Sequence, residues 1–149
     1  MMSGQNVFTR TFDITGGDFS KAGNVSTRIK DILKEIGIDS SIIRRAAIAS
    51  YEAEMNAVMY AHKAAITLIL NPKLIELRID DQGPGIPDIG LAMQEGYSTA
   101  TQEMREMGFG AGMGLPNIKK NADTFEISST LGKGTHLDIF FYLDQKGKA

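Results

Sequence analysis

Two glycine-bearing segments downstream of a long amphipathic helix limit most strongly what this chain can fold into. The first, Asp80-Asp81-Gln82-Gly83-Pro84-Gly85-Ile86-Pro87, closes an apolar run with strand periodicity. The second, Gly108-Phe109-Gly110-Ala111-Gly112-Met113-Gly114-Leu115-Pro116, leads into a helix. Upstream of both lies Glu52-Ala53-Glu54-Met55-Asn56. Either glycine segment alone is weak evidence, because glycines also build ordinary turns. In this order they describe a nucleotide site. It has an acid and a Mg²⁺ ligand on a helix, a carboxylate beside two glycines, and a glycine-rich cover for phosphates.

The rest of the chain places these segments on elements. Val7 to Ile14 alternates around Phe8 and Phe12 and reads as a first strand at a sheet edge. Asp18 is a candidate cap for a helix running to about Ile36, which Gly37 ends. Asp39-Ser40 starts a second helix, from roughly Ser41 to Ala61, with small apolar residues at Ala46, Ala49, Ala53 and Ala57 for close packing. Two strands follow, Ala65 to Leu70 and Lys73 to Ile79, turning at Asn71-Pro72. Leu91 to Gln94 suggests a short helix. Pro116 suits the first turn of a helix through Ala122, and Thr124 to Ser129 and Thr135 to Leu143 are the last strands. The order predicts a two-layer α/β sandwich: a mixed, mainly antiparallel sheet with helices on one face. We expect one domain over residues 1–149, with a flexible lid at about 90–110 and a frayed tail at 144–149.

Each site residue has a chemical reason. Glu52 and Asn56 are four apart on a helix, so both emerge on one face. Asn56 offers a neutral oxygen suited to a Mg²⁺ ion that bridges nucleotide phosphates. Glu52 is placed to accept a proton from an attacking hydroxyl or water at the γ-phosphate. Glu54 points to another face and reads as a solvated charge. Asp81, ending a strand, is placed to accept from the exocyclic amine of adenine, and a carboxylate there rejects the keto oxygen of guanine. Gly83 and Gly85 allow a sharp turn beside the base. Gly110, Gly112 and Gly114, with the helix that follows and its Leu115, make an anion site from backbone N–H groups. Thr135, after Gly132-Lys133-Gly134, brings a hydroxyl near the base. His62 and His136 lack partners at metal-ligand or triad spacing and read as structural or solvent-facing.

Composition excludes several classes. The formal charge is -2, which gives no electrostatic reason for a nucleic-acid or anionic-membrane partner. Cysteine is absent, so disulfides, thiolate zinc sites and cysteine nucleophiles are excluded. The N-terminus has neither the basic nor the apolar region of a secretory signal, and no apolar run approaches a membrane span, so we expect a cytoplasmic location.

These residues resemble the GHKL superfamily of ATP-binding domains, named for gyrase, the heat-shock chaperone Hsp90, histidine kinases and the mismatch-repair protein MutL. Glu52 and Asn56 match its N box, Asp81-Gln82-Gly83-Pro84-Gly85 its G1 box, and Gly110-Ala111-Gly112-Met113-Gly114-Leu115 its G2 box. The resemblance implies the Bergerat-type fold, Mg²⁺ ligation by Asn56, adenine binding by Asp81 and water-mediated help from Thr135. Within the superfamily the chain is most similar to bacterial anti-sigma-factor serine/threonine kinases and the stressosome switch kinase. Glu52 stands where histidine kinases usually carry Asn, and the run from Asp81 to Thr99 is close to the switch-kinase branch. Residues Ala100 to Met107 depart from it, as an insertion in the lid. The implied activity uses ATP and Mg²⁺ to phosphorylate Ser or Thr on a small STAS-type antagonist in a partner-switching pathway. A sigma factor or other regulator, and a homodimer, are further partners left open by the resemblance. Two alternatives are an accessory module in which ATP only shapes a docking surface, and a detached histidine-kinase catalytic domain, which Glu52 disfavours.

Overall fold

In a computed structural model, which describes residues 8–94 and 114–143, five strands form one sheet in the order β1-β2-β3-β5-β4. β1 is Phe8–Thr15, β2 Lys63–Leu70, β3 Leu74–Gln82, β4 Thr124–Thr130 and β5 Gly134–Tyr142. The helices are α1 (Asn24–Ile36), α2 (Ser40–Tyr60), a short α3 (Ile89–Ala92) and α4 (Gly114–Asn121). Among the described residues the strand pairings are all antiparallel, in line with the mainly antiparallel sheet expected. The reason lies in the connections. β1 and β2 are joined through two helices, which return the chain to its starting end, and β2–β3 and β4–β5 are hairpins. The two-layer α/β sandwich itself is as expected, with β1 at an edge.

Strand periodicity decides which side chains enter the core. β2 alternates between exposed or half-buried residues and buried Ala64, Ile66, Leu68 and Leu70. β3 contributes Ile75, Leu77 and Ile79, and β5 contributes Leu137, Ile139 and Phe141. Against this face pack Ile29, Ile32 and Leu33 of α1, Ile43 and the alanines of α2, and Leu115 and Ile118 of α4. α2 lies between α1 and α4. Its buried stripe of Ala46, Ala49, Ala53 and Ala57 carries little side-chain bulk, so sheet and neighbouring helices approach closely.

The start of α1 differs from expectation. Asp18 leads only a short 3-10 turn, Phe19–Lys21, and the N-cap of α1 is Gly23, which has no side chain to offer the orphan N–H groups. Glu54 of α2 supplies the acceptor instead. Its Oε2 accepts from the N–H groups of Gly23 (3.0 Å) and Val25 (3.2 Å), and its Oε1 from Ser26 (2.9 Å). Glu54 is 2% exposed, so its reading as a solvated charge is corrected. A buried carboxylate is tolerated here because charge-assisted N–H bonds and the positive end of the helix offset its desolvation.

Candidate functional site

The site is assembled where α2 meets the start of α4 and where β3 ends. Asp39 caps α2, its carboxylate accepting from Ser41, and the bonds to Ser41 hold the Asp39 carboxyl below its ordinary range. One turn separates Glu52 from Asn56, and both are half-buried on the α4 side of the helix. The Cα of Gly114 sits so close to Asn56 that a β-carbon there would lie 3.0 Å from Asn56 Oδ1. One turn along, Glu52 Oε2 accepts from Asn117 Nδ2 at 2.9 Å. Pairing Glu52 with Asn117 and Asn56 with Gly114 means that the two helices run antiparallel along this seam. Glu52, Asn56, Gly114 and Leu115 are therefore gathered at one place, with the Leu115 side chain buried in the core. Gly110 and Gly112, most of the expected lid, and the tail at 144–149 lie outside the described residues.

The second half of the site is the end of β3. Asp81 Oδ1 accepts from the backbone N–H of Thr135 at 3.0 Å, which holds the carboxylate in one orientation. Burial pushes the Asp81 carboxyl above the usual range; the Thr135 N–H acts against this, and the neighbouring charge of Asp80 adds to it. The contact exists because Gly134 has no side chain: a β-carbon there would lie 1.9 Å from the Asp81 carbonyl oxygen. Gly85 has φ +79°, which a side chain rarely adopts, and its Cα packs on the Thr130 carbonyl. Gly83 is buried against the C-terminal end of α2, near Tyr60 and Ala61, so its small size serves packing between helix and loop.

The β4–β5 hairpin holds this loop in place. Gly83 N donates to Lys133 O (3.0 Å), Gly132 N to Pro84 O (2.9 Å), and Ile86 N to Ser129 Oγ (2.7 Å). Ser129 Oγ in turn donates to Gly134 O (3.1 Å) and lies 3.0 Å from Thr135 Oγ1. Thr135 thus contributes both its N–H to Asp81 and its hydroxyl to a pair with Ser129. Asp80, Asp81, Ser128, Ser129, Thr130, Lys133, Gly134, Thr135 and His136 line an open depression of about 210 Å³ at this end of the sheet.

Sequence reasoning did not single out Ser129 or Asn117. Ser129 reaches the Ile86 loop from another strand, and Asn117 meets Glu52 across 65 positions, so no local pattern marks either. His136 sits on the open face of the sheet with Nδ1 bonded to Asp80 and Nε2 to Asp138 at 2.8 Å, a structural role as read. Among the described residues no group of three or more His, Cys, Asp or Glu side chains is placed to hold a metal ion. Asn56, a neutral ligand, suits a cation that brings its own phosphates. No helix among the described residues is long and apolar enough to cross a membrane.

Comparison with known proteins agrees with this arrangement. Residues 42–146 match the family described as histidine kinase-, DNA gyrase B-, and HSP90-like ATPase. The chain is 32% identical over 118 residues to the serine/threonine-protein kinase RsbT of Bacillus subtilis (strain 168), covering 76% of this chain and 83% of that protein. It is 32% identical over 97 residues to the anti-sigma F factor of Thermoanaerobacter sp. (strain X514), covering 62% of this chain and 64% of the relative. With the anti-sigma F factor of Geobacillus stearothermophilus it shares 28% identity over 109 residues, covering 73% of this chain and 64% of that protein. The match thus spans just under two thirds of these anti-sigma F factors. The family that the motifs resemble, and the serine/threonine-kinase class of activity which that resemblance implies, agree with these matches.

Proposed function

The chain belongs to the histidine kinase-, DNA gyrase B- and HSP90-like ATPase family, and from that premise we propose that it is an ATP-dependent serine/threonine protein kinase whose acceptor is a STAS-type antagonist protein. The observation that carries the reading is the seam between α2 and α4. Glu52 and Asn56 face, one turn apart, the helix that the glycine-rich segment opens. Asp81 would accept from the adenine amine, Thr135 would support it, and Gly83 and Gly85 would shape the loop beside the base. Backbone N–H groups of Gly110, Gly112, Gly114 and Leu115 would hold phosphates at the start of α4.

Asn56 would ligate Mg²⁺, which supplies charge neutralisation between the phosphates when bound. Glu52 takes the proton of the acceptor hydroxyl as its oxygen attacks the γ-phosphorus. The bond from the γ-phosphorus to the bridging oxygen breaks, and ADP leaves. A sigma factor or other regulator is the further partner in such a pathway, and a homodimer fits it. Residues 1–149 act as one domain in this reading, in the cytoplasm.

Incubation with γ-labelled ATP and the STAS proteins of the same genome tests the proposal. Label should appear on one of them and be stable to acid and labile to base, as a phosphoserine ester is. Nucleotide binding with no transfer to any acceptor would replace the kinase reading with that of an ATP-dependent docking module. Label on a histidine would point instead to histidine-kinase chemistry.

A further inference from the structure

We infer that Asn117 is a positioning residue for Glu52, so that α4, whose first residue Gly114 lies against Asn56, also supports the base; this rests on the kinase reading above. A glutamate side chain has three freely rotating bonds, so a base on a helix surface samples many orientations unless something holds it. Asn117 Nδ2 donates to Glu52 Oε2 at 2.9 Å, and both residues are half-buried. One carboxylate oxygen is thereby tied to α4, and in this role the other, Oε1, is the one that takes the proton of the acceptor hydroxyl. The amide suits the task because it is neutral. A Lys or Arg at this position would also orient the carboxylate, but it would favour the ionised form and weaken its hold on a proton.

Asn117 is itself held. Its backbone oxygen accepts from Asn121 Nδ2 at 2.8 Å, and Arg45 Nη1 of α2 donates to the backbone oxygen of Asn121, also at 2.8 Å. Leu115, Pro116 and Ile118, around it in the chain, are buried. The same helix begins at Gly114, against Asn56. A shift of α4 therefore moves the phosphate-facing turn and the orientation of the base together.

The test compares Asn117→Ala and Asn117→Asp in the full chain, each alone and combined with Glu52→Gln, using γ-labelled ATP and the STAS acceptor. Asn117→Asp keeps the size of the side chain but replaces the donor with an acceptor, which repels Glu52. Transfer should fall about 10-fold for Ala and further for Asp, the scale expected for a misplaced base. Calorimetric affinity for ATP should stay within about twofold, so the loss lies in kcat and not in KM. In the Glu52→Gln background neither substitution should lower the residual transfer by more than about twofold, because a group acting through Glu52 has nothing left to position. Equal losses in both backgrounds, a parallel loss of ATP affinity, or unchanged transfer in the single variants would each overturn the role of Asn117. Those outcomes leave the kinase reading standing. Absence of transfer by the wild type overturns both.

Discussion

Two pairs of carboxylates, each close in sequence, end up in opposite surroundings. Glu52 and Glu54 lie on the two flanks of α2. Toward α1, Glu54 is buried and satisfies three backbone N–H groups, which commits it to structure. Toward α4, Glu52 is half-buried and accepts a single side-chain bond, from the Asn117 amide. Asp80 and Asp81 repeat the contrast on β3. Asp81 faces the helix layer and is oriented by Thr135, whereas Asp80 faces the open side and pairs with His136. A helix separates residues two apart by more than half a turn, and a strand sends neighbours to opposite faces. Residue type alone therefore does not assign a carboxylate to chemistry. What it meets does.

The largest effect should come from making one substitution on both sides of α2. Glu52→Gln keeps size and hydrogen bonding but cannot take a proton, so transfer to the acceptor should fall by about 10²–10⁴-fold. ATP affinity and the unfolding midpoint should hardly change. Glu54→Gln should do the reverse, lowering the midpoint in denaturant while the remaining folded protein transfers phosphate normally. If both variants lose activity without losing stability, the contrast between the flanks is wrong.

Next in size is Glu54→Ala, which leaves the first N–H groups of α1 without their acceptor. A loss of about 2–4 kcal/mol in urea unfolding is expected, the worth of one or two unsatisfied buried donors. A loss no greater than that of an ordinary exposed glutamate would show that α1 finds other caps. Asp81→Asn should cost about 1–3 kcal/mol of ATP affinity by calorimetry, with little change in fold, because it exchanges a pure acceptor for a group that also donates. The wild type should lose affinity on acidification earlier than an ordinary carboxyl would predict, since burial raises the Asp81 titration range. Asn56→Ala should lower both Mg²⁺-dependent ATP binding and transfer, unlike Glu52→Gln, which should lower transfer alone.

The smallest effect sits on the open face. The hydrogen bond to Asp80, with that to Asp138, raises the His136 imidazole above its ordinary value despite partial burial. A raised folded-state value means that this stabilisation is complete below the ordinary imidazole range, near pH 6.5, and is lost as pH rises through the raised value. With the side chain 36% exposed, solvent screens the pair and the effect is small. His136→Gln should flatten that part of the stability profile and leave transfer unchanged. A wild-type profile that is already flat there would remove the pairing from the account.

Much of the fold was legible because its signals are local. The alternation in β2 and β3, Gly37 ending α1, the Asp39 cap of α2 and Pro116 in the first turn of α4 each depend on a few neighbouring residues. The same holds for Glu52 with Asn56, which helix geometry alone puts on one face, and for Asp81 at a strand end. Chemical type and spacing decide these before any long-range contact forms.

Tertiary structure decided what depends on partners far along the chain. Glu54 reads as a surface charge until α1 is packed beside α2 and Gly23 presents N–H groups without a side chain to cap them. Asn117 carries no signal until α4 is laid antiparallel to α2, and Ser129 none until the β4–β5 hairpin closes on the Ile86 loop. The all-antiparallel order needed the whole path of connections. Local patterns record which elements form and which faces are apolar. The fate of a buried polar group is set by the donor or acceptor that packing brings to it, since one left unpaired costs more than a typical pair contributes.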